Sequence, residues 1–533
     1  MRLWPRLTVG SLVIASALAF TGGARSEPTE PSAQAPKDAP SPGSRAPEIE
    51  AAVRALVKTH GLDSAEIGVV VMDCETGAIL GQHGEHTALN PASNAKLYTA
   101  AAALAILHGN HRYQTTLSGT IKGGVASGLV LRGHGDPSLQ TRDLWALAQE
   151  LKAHGAKRVE GEIGVDQKFF DDQTTPPAFE QQPNEWASFR APVSAVAVNE
   201  NTVTLTIRPQ SAGSPAVAFF DPPGFVDAEG TVKTVESGAD TVGLDLVPNG
   251  RRLTAKLSGA VASDSKLVRY TRRVDDPQLL AGYALRAALE ESGLKGAGEV
   301  RLLGGGSSGG DDKGEKSDKG EKGDKSDKSD KGDKPEKAEK SDRRRGSVLA
   351  RHESEPLSTL LYALGKNSDN FYAEMIFKSI AAEAKSRPAK SADAAEIVTK
   401  WVERNEIGDT GVVVKNGSGL FDANRTTATS MAKLLRFAWQ DPNIHNEFVS
   451  QLAIGGVDGT LHRRFRHASA HRAVRAKTGT LDSAIALSGY VLAPHGKSTI
   501  AFAILFNKVS GHASEARIAA DKLVDKIYDR LWK

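Results

Sequence analysis

Apolar and polar positions divide the chain into stretches of different texture. Ile49, Val53, Leu56 and Val57 recur at helical spacing and predict a helix over 49–57. Apolar runs at 65–72 and 78–81 flank a turn at Glu75-Thr76-Gly77, which predicts a hairpin. Leu97, Ala101, Leu104 and Leu107 then form an apolar stripe on a helix whose start is marked by Asn90 as cap and Pro91 at its first position. From about His111 the pattern shifts to short β-rich runs (114–117, 128–131, 161–165, 201–207, 253–257) punctuated by Gly, Pro and Asp, a separate and mostly β module. Its segments 133–139 and 191–195 read as turns, because Gly-Asp-Pro supplies turn geometry without any catalytic need.

Helical periodicity returns over 276–294, where the first domain is expected to resume. Helices are predicted at 357–364, 371–382 and near 430–439, strands at 473–477, 485–492 and 499–506, and a closing amphipathic helix at 513–532. A hairpin near the start and strands near the end imply one antiparallel sheet covered by helices, an α+β fold carrying a mostly β accessory insertion. The expected division is 48–110 with 275–533 for the main domain and 111–274 for the insertion.

Composition narrows this picture. At 533 residues the chain can build two or more large cores, and a net charge of only +3 argues against a dedicated nucleic-acid binder. Basic residues before Leu7, an apolar stretch to Phe20 and small residues near Gly22-Gly23-Ala24 resemble a secretory signal peptide over 1–24. The stretch is short for a bilayer span, which makes an uncleaved anchor the minor alternative. A Pro/Ser/Ala-rich linker follows over 25–47. Cys74 is the only cysteine, so intrachain disulfides and multi-cysteine metal sites are excluded; its apolar neighbours predict a buried, inert thiol. Within 304–345, Lys recurs at every third position from Lys313 to Lys340, and 13 Lys and Arg nearly cancel 12 Asp and Glu. Collagen would need Gly in each triplet, so a disordered, solvated spacer is expected.

Chemistry enters at Pro91-Ala92-Ser93-Asn94-Ala95-Lys96. Ser93 falls in a helix's first turn, and Lys96 shares its face at i,i+3, within reach of the hydroxyl. Burial of that helix would strip water from Lys96 and make it neutral enough to act as a base. The spacing alone is weak, since Ser263/Lys266, Ser292/Lys295 and Ser430/Lys433 repeat it. Two further motifs, each occurring once, set Ser93 apart: Ser368-Asp369-Asn370 and Lys477-Thr478-Gly479. Acyl transfer from an amide needs a nucleophile, a proton shuttle, a donor for the leaving nitrogen and an oxyanion hole. Ser93 can attack while Lys96 takes its proton, and Ser368 can pass that proton to the leaving amine. Asn370 can orient Lys96, and Lys477 can attract a carboxylate and help depress the pKa of Lys96. Thr478 can bond that carboxylate, Gly479 permits close backbone approach, and the N–H groups of Ser93 and Thr480 are the expected oxyanion donors.

In this order the motifs, with Gly135-Asp136-Pro137, Ala373-Glu374, Gly417-Ser418-Gly419-Leu420, Asp458-Gly459-Thr460-Leu461 and Thr480, resemble the D-alanyl-D-alanine carboxypeptidase/endopeptidase family, the class C low-molecular-mass penicillin-binding proteins, from about residue 48 to 533. The resemblance implies a serine β-lactamase/DD-peptidase-like domain and a periplasmic or cell-wall enzyme that removes terminal D-alanine from peptidoglycan stem peptides or cuts D-alanyl cross-links. It implies acylation by penicillins and other β-lactams, no metal and no cofactor, catalytic Ser93, Lys96, Ser368, Asn370 and Lys477, and substrate-binding Thr478, Gly479, Thr480 and Asp369. A homodimer stays open. Asn416 stands where the family commonly has Asp, which puts one supporting contact in question, and the 304–345 insert is not a general family feature.

Rival readings carry less. Ser418 lacks the G-x-S-x-G spacing and reads as a turn. His462, His467 and His471 fit no zinc pattern, and Arg463, Arg464, Arg466, Arg472 and Arg475 would repel a cation; those arginines read as a solvated rim or a contact for stem-peptide carboxylates. A β-lactamase would need a water-activating carboxylate that no motif identifies, and a non-catalytic wall-binding protein would not need the full set of reactive residues.

Overall fold

The structure, a computed structural model, describes residues 46–183, 185–303, 346–385 and 387–532. The expected signal peptide, the linker up to residue 45 and the 304–345 spacer lie outside the described residues. The first elements are α1 (Pro47–Val57), β1 (Glu66–Asp73), β2 (Ile79–His83) and α2 (Ala95–Leu107). The inserted region contributes β3 (Gln114–Lys122), β4 (Val125–Gly133), α3 (Thr141–Ala153), β5 (Arg158–Asp166), β6 (Thr202–Arg208), β7 (Val217–Asp221), β8 (Val226–Gly230), β9 (Lys233–Val235), β10 (Gly243–Asn249), β11 (Arg252–Ser258), β12 (Ala260–Ala262), β13 (Val268–Arg273), α4 (Leu280–Glu291), β14 (Ala297–Leu302) and β15 (Ser347–Glu353). Then come α5 (Leu357–Lys366), α6 (Asn370–Ala384), α7 (Ser391–Arg404), α8 (Ala428–Gln440), α9 (His445–Ser450), β16 (Ala453–Ile454), β17 (Val474–Leu481), β18 (Ala484–Val491), β19 (Ile500–Asn507) and α10 (Ala513–Trp532).

Strands from both ends of the chain form one antiparallel sheet in the order β16-β17-β18-β19-β1-β2. Strand β1 is apolar at every central position because both of its faces are covered. Val70 and Met72 join the core around α2, α5, α6 and α8, whereas Val69 and Val71 join the core under α1 and α10. Burial on both sides replaces alternation with a continuous apolar run.

Helix α2 is buried at every residue from Ala95 to Leu104, not along a stripe. It is the central helix, packed against α5, α6, α7, α8 and α9, and its alanines let those helices approach closely. In the insertion, a mixed sheet of order β14-β5-β4-β3-β15 and the smaller sheets β13-β6-β7, β10-β11-β8 and β12-β9 surround a second core to which α3 and α4 contribute. The insertion is thus less purely β than its texture suggests: α3 buries Leu144, Leu147, Ala148 and Leu151. Helix α4, expected to mark the return of the first domain, packs on α3 and β14, and β15 pairs with β3. The stretch 191–198 straps the two cores together, with Ala191, Val193, Ala195 and Ala197 in the α2 core and Val196 and Val198 in the second. Among the described residues no helix is long and apolar enough to cross a membrane.

Candidate active site

The chain enters the site through a turn built for one geometry. Asn90 is pinned to the end of β19, its N–H donating to Asn507 Oδ1 at 2.8 Å, and its own Oδ1 accepts the Ala92 N–H at 2.9 Å. Ala92 then adopts φ +47°, a left-handed conformation costing a non-glycine residue about 1–3 kcal/mol, and a single 3-10 turn, Ala92–Asn94, presents Ser93 just before α2. Asn90 therefore braces the entry to this turn, whose N-cap is Pro91, and does not cap α2, whose N-cap is Asn94. Gly479 on β17 lies against the same turn: a Cβ there would stand 2.8 Å from the Pro91 carbonyl and 3.1 Å from the Ala92 Cβ. Close backbone approach was expected of this glycine, and its neighbour is the nucleophile's own turn.

Lys96 is fully buried, and its Nζ faces Ser93 Oγ at 3.0 Å, Asn370 Oδ1 at 2.6 Å and the Ser418 carbonyl at 2.7 Å. Burial lowers its pKa to about 7, against the opposing pull of Glu374 and Asp369. A neutral amine has two N–H bonds and one lone pair. The amide oxygen and the carbonyl can only accept, so they take the N–H bonds, and the lone pair is left facing the Ser93 hydroxyl. In its neutral form Lys96 therefore offers its lone pair to the Ser93 hydroxyl.

Ser368, at φ +62°, receives a hydrogen bond from Lys477 Nζ at 2.8 Å, and Lys477 also donates to the Thr478 carbonyl at 2.7 Å. Lys477 is fully buried, and its pKa is held well below the lysine range by burial first and by the nearby Lys96 second. Desolvation is the largest influence on both amines, and the repulsion between them, being mutual, adds to the depression. With its oxygen toward the Ser488 hydroxyl and N–H at 2.7 and 3.2 Å, the Asn94 amide donates to the Lys477 carbonyl at 3.0 Å and ties β17 to the Ser93 turn. Thr478 Oγ1 lies 2.8 Å from Thr460 Oγ1, so the Asp458–Leu461 turn borders the same subsite. Thr480 is exposed at the cleft, within a cavity of about 940 Å³ that Ser93, Ser368, Asn370, Phe189 and Leu420 also line.

Ser93, Lys96, Ser368, Asn370, Lys477, Thr478, Gly479 and Thr480 all converge here. Asp369 has a different place: its Oδ1 accepts the Tyr372 N–H at 3.0 Å as the N-cap of α6, which sets Asn370 at the start of that helix. Two contributors had no assigned role in the sequence reading. Glu374, fully buried one helical turn after Asn370, accepts the N–H groups of Ser418 at 2.8 Å and Gly417 at 3.2 Å. It thereby holds the turn whose carbonyl meets Lys96; burial raises its own pKa, and those hydrogen bonds oppose the rise. Asn416 accepts from Gly419 N–H and Asn424 Nδ2, each at 2.9 Å, and donates to the Pro177 and Leu420 carbonyls at 2.9 and 3.2 Å. The two donated bonds explain an amide where an ionised Asp could only accept.

The rival residues sit elsewhere or serve the turn. Ser418 is buried, and its Oγ accepts the Leu420 N–H at 3.2 Å. Ser263 donates to the Glu236 carbonyl, Ser292 accepts from Gln149, and Ser430 belongs to the capping network at the start of α8. His462 faces the Gly459 carbonyl at 3.0 Å, and Arg464 pairs with Asp521 of α10. Among the described residues no group of three or more His, Cys, Asp or Glu is placed to hold a metal. Cys74 is fully buried and burial raises its thiol pKa, the condition of an inert thiol.

The family model of D-Ala-D-Ala carboxypeptidase 3 (S13) matches residues 49–309 and 336–527. The chain is 31% identical over 499 residues to a D-alanyl-D-alanine carboxypeptidase of an Actinomadura species, covering 90% of this chain and 84% of that protein. It is 24% identical over 482 residues to the D-alanyl-D-alanine carboxypeptidase DacB of Haemophilus influenzae, covering 88% and 92%. The crystal structure of penicillin binding protein 4 (dacB) from Haemophilus influenzae shares the fold, with a TM-score of 0.68 at 22% identity over 90% of this chain and 99% of that one.

Proposed function

The chain belongs to the D-Ala-D-Ala carboxypeptidase 3 (S13) family and is a serine-type DD-peptidase of peptidoglycan; from that premise we propose that Ser93 is its acylated nucleophile and Lys96 the base that activates it. The observation that carries this reading is the 3.0 Å contact between Ser93 Oγ and a fully buried Lys96 Nζ whose other partners are acceptors only.

The proton of Ser93 moves to Lys96 as Oγ attacks the carbonyl carbon of the penultimate D-alanine, and the N–H groups of Ser93 and Thr480 receive the oxyanion. Lys477 already donates to Ser368 Oγ, so the Ser368 hydroxyl proton is free to go to the departing amine nitrogen as the amide bond breaks, and the proton that Lys96 took from Ser93 then replaces it on Ser368, which returns Lys96 to its neutral form. The leaving D-alanine carboxylate is held by Lys477, Thr478 and Thr460, and its charge favours the protonated form of Lys477 while bound. Water then hydrolyses the ester, with Lys96 taking a proton a second time. A β-lactam enters the same sequence and stops at the ester.

The domain division belongs to this reading. The insertion runs through Glu353, supported by the packing of α4, β14 and β15 on the second core, and the peptidase domain comprises 48–110 with the chain from Ser354 onward. Periplasmic location follows from a wall substrate and from the export-like start of the sequence. The test is Ser93→Ala: release of D-alanine from a pentapeptide substrate should vanish while thermal unfolding stays close to that of the parent, and retained release would refute the assignment.

A further inference from the structure

The amide of Asn370 meets both halves of the molecule. Its oxygen accepts from Lys96 at 2.6 Å, and its Nδ2 donates to the carbonyl of Phe189 at 3.0 Å. Phe189 belongs to the insertion, in the single 3-10 turn Ser188–Arg190. A peptide carbonyl can only accept, so it admits one orientation of the amide, with nitrogen outward and oxygen toward Lys96. With the amide reversed, an N–H would point at the Lys96 lone pair and compete with the Ser93 hydroxyl for it.

Arg190 holds that carbonyl in place. Its side chain is 3% exposed; one terminal nitrogen donates to the Glu185 carbonyl at 3.1 Å and the other to the Phe179 carbonyl, while the guanidinium lies over the Phe421 ring at 5.3 Å. Glu185 and Asp275 are its acidic neighbours, yet the hydrogen bonds of this buried cation go to two backbone carbonyls beside the catalytic cleft.

We propose that Arg190 is a positioning residue of the acylation step: by fixing the Ser188–Arg190 turn it sets the Phe189 carbonyl, which locks the Asn370 amide so that Lys96 presents its lone pair to Ser93. The insertion is then part of the catalytic apparatus. This inference rests on the function proposed above.

The test is a double-mutant cycle on full-length protein, reading the first-order acylation constant at saturating benzylpenicillin. Losing one orienting hydrogen bond should slow Arg190→Ala about tenfold. The acylation limb of the pH profile should also move to lower pH, since a released amide supports the charged form of Lys96 less well. In an Asn370→Ala background, Arg190→Ala should have no further effect, because the group it positions is gone. Two slowdowns that simply multiply would overturn the inference and leave Arg190 a structural residue. Arg190→Lys, which keeps charge and bulk but cannot span both carbonyls, supplies the same cycle if the alanine variant unfolds. A parent protein that is not acylated at Ser93 at all would instead defeat the underlying function.

Discussion

Two influences oppose each other at Lys96: full burial favours the neutral amine that can take a proton, and the acidic neighbours favour the charged one. Desolvation wins over Glu374 and Asp369 and sets its pKa at about 7. The sign is fixed by the chemistry. Below that value the lone pair is occupied by a proton and Ser93 has no acceptor; above it the base is free. The acylation constant for benzylpenicillin should therefore rise with pH through about 7 and then level, and a constant that stays flat across the neutral range would contradict Lys96 as the base. At this scale most of the site was legible in the sequence, because side-chain chemistry leaves motifs: Ser93, Lys96, Ser368, Asn370 and Lys477 meet as their residue types suggested. Asp369 has in addition a local role that its motif did not announce, since a carboxylate one position before a helix is placed to cap it. Ser418 stood within a motif of the resemblance, but that its carbonyl is a partner of Lys96 could not be read, since every residue has a carbonyl and only the fold aims one.

Elements bring those side chains within reach, and the tightest juncture is β17 against the turn before α2. At Gly479 a Cβ would stand 2.8 Å from the Pro91 oxygen and 3.0 Å from the Ala486 Cβ, with strand on one side and turn on the other. Gly479→Ala should cost about 1–3 kcal/mol of stability by overpacking. It should also slow acylation, because relief requires β17 to carry Lys477 away from Ser368. A variant with unchanged thermal unfolding and unchanged acylation would show that the contact has slack. Element types were readable where one period dominated, as in α1 and α10. Helix α3 escaped notice although Leu144, Leu147, Ala148 and Leu151 follow the helical period, because the surrounding strands and turns set the expectation for the whole stretch. Helix α7 buries Ala394, Val398 and Val402 at helical spacing, a signal the sequence carried and the expected elements did not include. The stripe expected on α2 became all-round burial for a reason its own sequence could not state, namely how many helices surround it.

For the whole molecule, the question is what so long an insertion does to a site assembled from the two ends of the chain. Its extent could not be read from the sequence, because α4 has the same periodicity whichever core it packs on, and only long-range pairing such as β15 with β3 assigns it. The strap 191–198 and the Phe189 carbonyl bring the insertion to the catalytic amide, so removing the whole insertion should abolish acylation. The 304–345 segment is a different matter, since the family match stops at 309 and resumes at 336. Its deletion should leave hydrolysis of a small D-Ala-D-Ala substrate within about twofold of the parent; a large loss would give the segment a catalytic role. The most direct measurement is to label the protein with benzylpenicillin, digest it and locate the adduct by mass spectrometry. The adduct should fall on the peptide containing Ser93, on the Ser93 hydroxyl, and be absent from Ser93→Ala; an adduct on Ser368, Ser418 or any other residue would contradict Ser93 as the nucleophile.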